Sequence, residues 1–249
     1  MSCFGRPSDL YRTAVIKPRL SSSFGRSLRI FASGEGNRPR PTMIGGGGGG
    51  GGYRQLNDES DFEALLSPDG SLSVCGFGSL LSERSARSTF SELKNFRVTT
   101  LRGFRRVFCH AAPIFFERGI ANEESRVVPE SLDGTPFTTE AVLCARYSDE
   151  EYFQVRCKGS KEIHYQRYGN IHKIWRDDIL PCRVYLRHCV LAAKSLGQAA
   201  YDNFFDHAFI SDRKTTIREY LATTGSGIME EEPPEHLRSR YGGDSSMIA

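Results

Sequence analysis

The C-terminal third of the chain carries apolar residues at the three- and four-residue spacing that is typical of helices with one buried face. Three helices are predicted, over residues 182–197, 201–209 and 212–225. Asp177, Asp178 and Asp212 precede the first and third of these helices, where acidic residues are suited to cap them. We interpret the apolar stripes as core positions and not as a cofactor site. The stripe of the first helix consists of Cys182, Tyr185, Leu186, Cys189, Val190, Ala193 and Leu196.

The middle of the chain has a different pattern, with short runs rich in β-branched and aromatic residues that indicate strands. These runs are residues 72–75, 96–101, 105–109 and 141–147. Short helices are expected at 61–66, at 83–90 and from Asp149 onward. Because the strands come first and the helices gather at the end, the pattern predicts an α+β domain.

One predicted strand ends in a glycine-containing segment, which we call the glycine loop: Gly76, Phe77, Gly78, Ser79 and Leu80. A helix start follows it. Glycine allows a ligand to approach the main chain closely. A strand, a glycine turn and a helix start expose several N–H groups in a small concavity, which suits a carboxylate or a developing oxyanion. The spacing alone is equally compatible with a tight turn that binds nothing.

Composition divides the chain into three parts: a disordered N-terminus at 1–57, a folded domain at 58–225 and a mobile acidic tail at 226–249. The N-terminus has nine basic residues against two acids and is rich in serine, which is typical of an organelle transit peptide. A disordered basic tail remains the alternative. The unbroken run Gly45–Gly52 reads as a flexible linker, since it lacks the ending of a phosphate-binding loop.

Charge and cysteine content narrow the function classes further. The formal net charge is +3, which requires neither nucleic acid nor an anionic membrane as a partner, and no apolar run is long enough to span a bilayer. The seven cysteines have no metal-binding or disulfide spacing, and the histidines show no paired spacing. We therefore expect no metal site, no nucleic-acid partner, no membrane insertion and a reducing compartment.

The glycine loop resembles the Tyr-Gly-Ser-Leu/Asn signature of the γ-glutamylcyclotransferase-like family, with Phe77 in place of the usual tyrosine. Residues 185–191 and 215–220 resemble the plant, plastid-type members. The resemblance implies a small mixed β-barrel with a C-terminal helical region and no cofactor. It also implies cyclisation of a small-molecule γ-glutamyl amine or peptide to 5-oxoproline. Gly76, Phe77, Gly78, Ser79 and Leu80 would bind the substrate, and the location would be the plastid stroma, with the cytoplasm as the alternative.

The family uses a glutamate as general base, and no residue of this chain matches it. Glu123 and Glu124 stand in that region by length alone, so the catalytic residue is unassigned. The segment between residues 118 and 129 is shorter than the family pattern, which predicts an impaired enzyme. The alternative is a non-catalytic member of the same fold that binds a metabolite or a protein. The sequence does not indicate an oligomeric state.

Overall fold

A six-stranded sheet with helices packed against it positions the glycine loop. The computed structural model describes residues 10–18, 54–56, 59–102, 104–109, 122–127, 135, 140–146, 149–169, 171, 173–235, 238 and 241. Within this part the protein mixes α and β structure, in agreement with the class that the sequence predicts at this coarse level.

The strands are β1 (Leu10–Pro18), β2 (Arg54–Gln55), β3 (Val74–Gly76), β4 (Leu93–Arg102), β5 (Arg106–Phe108), β6 (Asn122–Val127), β7 (Ala141–Arg146) and β8 (Ala208–Ile210). The helices are α1 (Glu59–Glu63), α2 (Glu83–Thr89), α3 (Asp149–Arg156), α4 (Lys161–Tyr168), α5 (Arg183–Ser195), α6 (Gln198–His207) and α7 (Ile217–Ala222). The predicted strands at 96–101, 105–109 and 141–147 and the predicted helices at 83–90 and 182–197 are confirmed within a few residues.

The main sheet has the strand order β2-β6-β7-β3-β1-β4, and β5 and β8 form a second, two-stranded sheet. β3 pairs in parallel with β7, whereas the other pairs of the main sheet are antiparallel. Strand β3 is buried on both faces. Val74 packs with Val142 and the residues of α1 and α2, while Cys75 packs with Leu143 and Leu101. The glycine loop therefore leaves the sheet from a fully enclosed strand.

Strand β1 is the main departure from the sequence analysis, which expected no ordered element before residue 58. The structure instead inserts Leu10–Pro18 between β3 and β4, with Ala14 opposite both Gly76 and Val98. The strand contains Tyr11 and Val15, residues that favour strands locally. The basic, serine-rich residues around this strand dominate the composition of residues 1–57, so composition does not indicate the strand. The glycine run lies outside the described residues.

The C-terminal helices enclose a separate core in which Leu186, Cys189, Phe204 and Ile217 are almost fully buried. The second predicted helix is wrong at its end. It stops at His207, and Ala208 and Phe209 instead pair in parallel with β5. A tertiary pairing has overridden the local helical period there.

Two predicted helix caps are also wrong. Asp178 accepts hydrogen bonds from Arg176, and α5 follows the N-cap residue Cys182, whose side chain does not cap it. Asp212 accepts the N–H groups of two following residues and so closes a turn. The cap of α7 is Thr216, which forms a reciprocal capping box with Glu219.

The region after residue 225, expected to be a mobile tail, contributes to the helical core. Ile228 is fully buried, and Tyr241 is 5% exposed. Glu231 pairs with Arg183 of α5. The acidic composition of 230–235 does not indicate this packing, because it depends on two apolar residues outside that run, Ile228 and Tyr241.

Candidate functional site

The glycine loop joins β3 to α2 through one 3-10 turn, Ser79–Leu81. Ser82 then caps α2, since its hydroxyl accepts the N–H of Ser85. Phe77 packs with Cys75 and Leu143 on one side of the sheet, and Leu80 packs against the cluster around Val74. The loop is thus anchored on both faces of the sheet, and its main chain lies between the two anchors.

Both glycines of the loop are required by the protein's own packing. A Cβ on Gly76 would lie 2.6 Å from the Leu80 Cβ, closer than carbon atoms can approach. A Cβ on Gly78 would lie 2.4 Å from the hydroxyl oxygen of Tyr185. The loop therefore has the close approach that its glycines predict, and at Gly78 the approaching group is a side chain of α5.

Arg106 contacts the loop from β5. Its Nη1 donates a hydrogen bond of 2.6 Å to the Phe77 carbonyl, while Nη2 lies 3.3 Å from Cys189 Sγ and 3.4 Å from Tyr185 Oη. Three aromatic rings surround the guanidinium, those of Phe108, Phe204 and Tyr185, with centroids 4.3, 5.4 and 5.6 Å from Cζ. The side chain is only 7% exposed. A buried cation is costly unless polar and aromatic partners compensate it, and this environment supplies both.

Tyr185 reaches the loop from α5, and its hydroxyl is the group that a Cβ on Gly78 would meet. Burial raises the pKa of Tyr185 above its ordinary value of 10.0, while the Arg106 charge and the nearby Ser79 main chain act in the opposite direction. The phenol consequently stays protonated at physiological pH and acts as a neutral hydrogen-bonding group.

Strand β6 carries both candidate glutamates at the level of the loop. The row of the sheet that contains Cys75 also contains Leu143 of β7 and Ser125 of β6. Glu124 and Glu123 are the next two residues of β6 in the direction in which β3 runs into the loop. β6 lies two strands from β3, a backbone separation of roughly 10 Å at the usual spacing between strands.

Sequence reasoning identified the loop but missed Arg106 and Tyr185. We assigned Arg106 to a strand and Tyr185 to a core stripe, and both assignments are confirmed. The available signals were an arginine directly before the apolar residues of a strand and a tyrosine on a buried helix face. Both residue types need a polar partner when buried. Nothing local indicated that this partner would be the glycine loop.

In the part of the chain that the structure describes, no group of three or more histidine, cysteine or acidic side chains is arranged to hold a metal ion. No helix of that part is long and apolar enough to cross a membrane. The protein was compared with protein-family models, curated proteins and solved structures, and none of them matches. A function for this protein is therefore inferred from the site geometry and the motif resemblance.

Proposed function

We propose that this protein is a γ-glutamylcyclotransferase-type enzyme that cyclises a γ-glutamyl amine or peptide. The α-amine of the substrate attacks its own γ-carbonyl carbon, which forms the five-membered ring of 5-oxoproline. The bond to the leaving amine breaks, and the leaving nitrogen takes up a proton. A general base must remove a proton from the ammonium before the attack, and hydrogen-bond donors must stabilise the charge on the γ-carbonyl oxygen.

The observation that supports this proposal is the backbone conformation of residues 74–82. A buried strand enters a loop with two obligatory glycines, and a 3-10 turn and a capped helix follow directly. Consecutive main-chain N–H groups at such a turn are suited to a carboxylate or an oxyanion. Gly76, Phe77, Gly78, Ser79 and Leu80 are the proposed substrate-binding residues. No cofactor is part of the proposal.

The proposed base is one of the two glutamates of β6. The polar side chains found against the loop, Arg106 and Tyr185, are a cation and a protonated phenol, neither of which accepts a proton from an ammonium. Glu123 and Glu124 are carboxylates whose backbone lies level with the loop. Because strand residues alternate between the faces of a sheet, only one of the two positions can serve the same face as the substrate.

The direct test is release of 5-oxoproline by the purified full chain from several γ-glutamyl amines and dipeptides. We expect slow release, because the segment that should carry the base is short. An N-acetylated γ-glutamyl compound is the matched control, since it lacks the attacking amine and should release nothing. If no free-amine substrate is converted even with enzyme in excess, the catalytic proposal is wrong.

Glu123→Gln and Glu124→Gln, made singly, identify the base. A general base contributes about 10²- to 10⁴-fold to the rate, so one variant should lose activity on that scale. The other variant is the matched control and should stay within a few-fold of the parent. Equal, small losses in both variants would place the base elsewhere in the chain.

A non-catalytic role is the second candidate, and the neutral and cationic partners of the loop favour it. In that case the loop would bind 5-oxoproline or a γ-glutamyl metabolite without converting it. Isothermal titration of the full chain with 5-oxoproline, combined with the release assay, separates the two functions. Binding without release would support the non-catalytic role.

Two further expectations belong to the same proposal. We propose that the described strands are part of a small mixed β-barrel, and an experimental structure that leaves β2 and β4 as unpaired edges would contradict closure. We also propose a plastid location, motivated by the basic, acid-poor N-terminus, with residues 10–18 retained in the mature protein because β1 pairs with β3 and β4. A fusion of residues 1–57 to a fluorescent reporter should enter plastids, whereas cytosolic signal throughout would contradict targeting.

A further inference from the structure

The peptide unit between Phe77 and Gly78 has one of its two polar groups held by a buried charge. The Phe77 carbonyl accepts a 2.6 Å hydrogen bond from Arg106 Nη1. In a planar trans peptide the C=O and the following N–H point in opposite directions. The N–H of Gly78 is therefore directed away from the Arg106 guanidinium.

Tyr185 and Arg106 lie on one side of the loop. The Tyr185 hydroxyl oxygen is 3.4 Å from Arg106 Nη2, and a Cβ on Gly78 would lie 2.4 Å from that oxygen and 3.6 Å from Nη2. The Gly78 N–H, which is directed away from the guanidinium, is therefore turned to the other side of the loop.

From this arrangement we propose that Arg106 is a positioning residue that aims and polarises the Gly78 N–H toward the carboxylate or developing oxyanion of the ligand. The proposal rests on the function proposed above and specifies which loop donor the substrate uses. Hydrogen bonds in a chain polarise one another, so a cation on the Phe77 carbonyl makes the Gly78 N–H a stronger donor. Tyr185 fills the space beside Gly78 and so limits rotation of this peptide unit.

Arg106→Lys tests this inference, with Arg105→Lys as the matched control. Lysine keeps the positive charge but has neither the reach nor the planar geometry of the guanidinium. Arg105 is the neighbouring residue of the same segment, and its guanidinium lies 5.1 Å from the Phe209 ring. Thermal unfolding of both variants provides the measure of purely structural damage.

The Gly78 amide signal in a ¹H–¹⁵N spectrum of the full chain gives a readout that does not depend on activity. We expect this signal to move upfield in Arg106→Lys and to stay in place in Arg105→Lys. On addition of 5-oxoproline, the Gly78 signal should respond more strongly in the parent than in Arg106→Lys. Unchanged Gly78 signals in Arg106→Lys would overturn the inference.

Kinetics provide the second readout. Loss of one oxyanion donor costs about 10²- to 10³-fold in kcat, so a misaimed donor should cost at least about tenfold in kcat with a smaller change in KM. Equal kcat in Arg106→Lys and Arg105→Lys would overturn the inference. If the parent neither converts a γ-glutamyl substrate nor binds 5-oxoproline, the proposed function is wrong, and so is the part of this inference that concerns the ligand. The Gly78 signal then still shows whether Arg106 polarises the Gly78 N–H.

If Arg106→Lys does not fold, Tyr185→Phe replaces it. This substitution removes only the hydroxyl, which lies beside Arg106 Nη2 and next to Gly78. We expect a shifted Gly78 signal. Tyr201→Phe is the matched control, because the Tyr201 ring stacks on Phe205 at 4.4 Å, away from the loop. A Gly78 signal that is the same in the two variants would overturn the inference.

Discussion

Contacts with other residues of the protein constrain individual residues of the glycine loop. Gly76 is required by Leu80, Gly78 by Tyr185, and the Phe77 carbonyl is occupied by Arg106. A ligand that binds this loop must therefore use the side of the main chain that these residues leave. The buried guanidinium and the protonated phenol make that geometry rigid, which favours a preorganised site.

At Gly78 we expect a steric clash on the Tyr185 side of the loop. Gly78→Val should abolish binding of 5-oxoproline, because the added side chain meets the Tyr185 hydroxyl and displaces the main chain of the loop. Gly78→Ala should destabilise the fold by roughly 1–3 kcal/mol, the usual range for overpacking. Chemical denaturation measures the second effect.

A double-mutant cycle with Tyr185→Phe isolates the cause. Without the hydroxyl oxygen, the atoms that face a Cβ at position 78 lie 3.6 and 3.7 Å away, which is ordinary contact. The cost of Gly78→Ala should therefore shrink in the Tyr185→Phe background. An equal cost in both backgrounds would show that another group crowds this position.

Secondary-structure elements that are distant in sequence hold one another in place around the loop. β1 pairs with both β3 and β4. β8, which lies between α6 and α7 in the sequence, pairs with β5, the strand that carries Arg106. α6 and α7 are joined by Arg218, whose Nε and Nη2 donate to Asp206 at 2.6 and 3.2 Å. β1 and β8 contact the site through the main chain, since Ala14 pairs with Gly76 and Ala208 pairs with Arg106.

Removal of β1 should weaken the sheet, since it exposes the edges of both β3 and β4. We expect a chain that lacks residues 1–18 to unfold at a lower temperature and to self-associate through the exposed edges. A chain that lacks residues 1–9 retains β1 and is the control. Equal melting temperatures and equal monomer fractions by light scattering would show that β1 is dispensable.

The Arg218–Asp206 pair should give a stability increment that depends on pH. The hydrogen bond from Arg218 holds the pKa of Asp206 below its ordinary value of 3.8, so the increment is present above about pH 4 and is lost as pH falls through the lower, folded pKa. Because both side chains are about half exposed, Arg218→Gln should cost only about 0.2–1 kcal/mol at pH 7.

Thermal unfolding of Arg218→Gln and the parent between pH 2 and pH 7 checks this prediction. The difference should vanish at the acid end and shrink in high salt. A difference that persists at pH 2 would assign the effect to the contact of Arg218 with the Phe205 ring, whose centroid lies 5.2 Å from Cζ.

In the molecule as a whole, the described residues after 225, namely 226–235, 238 and 241, belong to the folded unit. Ile228 completes the core that α5, α6 and α7 form, and Arg187 donates to the Met229 carbonyl at 3.3 Å. The Tyr241 ring lies 6.1 Å from the Tyr185 ring. The same helix therefore contacts both the glycine loop and the C-terminal region.

Ile228→Ala tests this assignment. Truncation of a fully buried isoleucine typically costs 2–5 kcal/mol, and we expect a loss in that range by chemical denaturation. Glu230→Ala is the control, because Glu230 is exposed and should change stability by about 0.5 kcal/mol or less. A loss for Ile228→Ala no larger than that of the control would return the segment to the status of a mobile tail.

Local patterns in the sequence were enough to predict several of the elements. The helical period predicted α5, the β-branched runs predicted β4 and β7, and the paired glycines predicted a sharp turn after β3. Each of these signals depends on residues a few positions apart, which is the range over which periodicity and turn chemistry act.

Which side chains contact the glycine loop depends on tertiary packing. Arg106 lies 29 residues from Phe77 and 79 from Tyr185, yet the three converge on one loop. The insertion of β1, the end of α6 at β8 and the burial of Ile228 are of the same kind. Such contacts follow from how the elements pack against one another, and the free energy of that packing is not encoded in any short window of sequence.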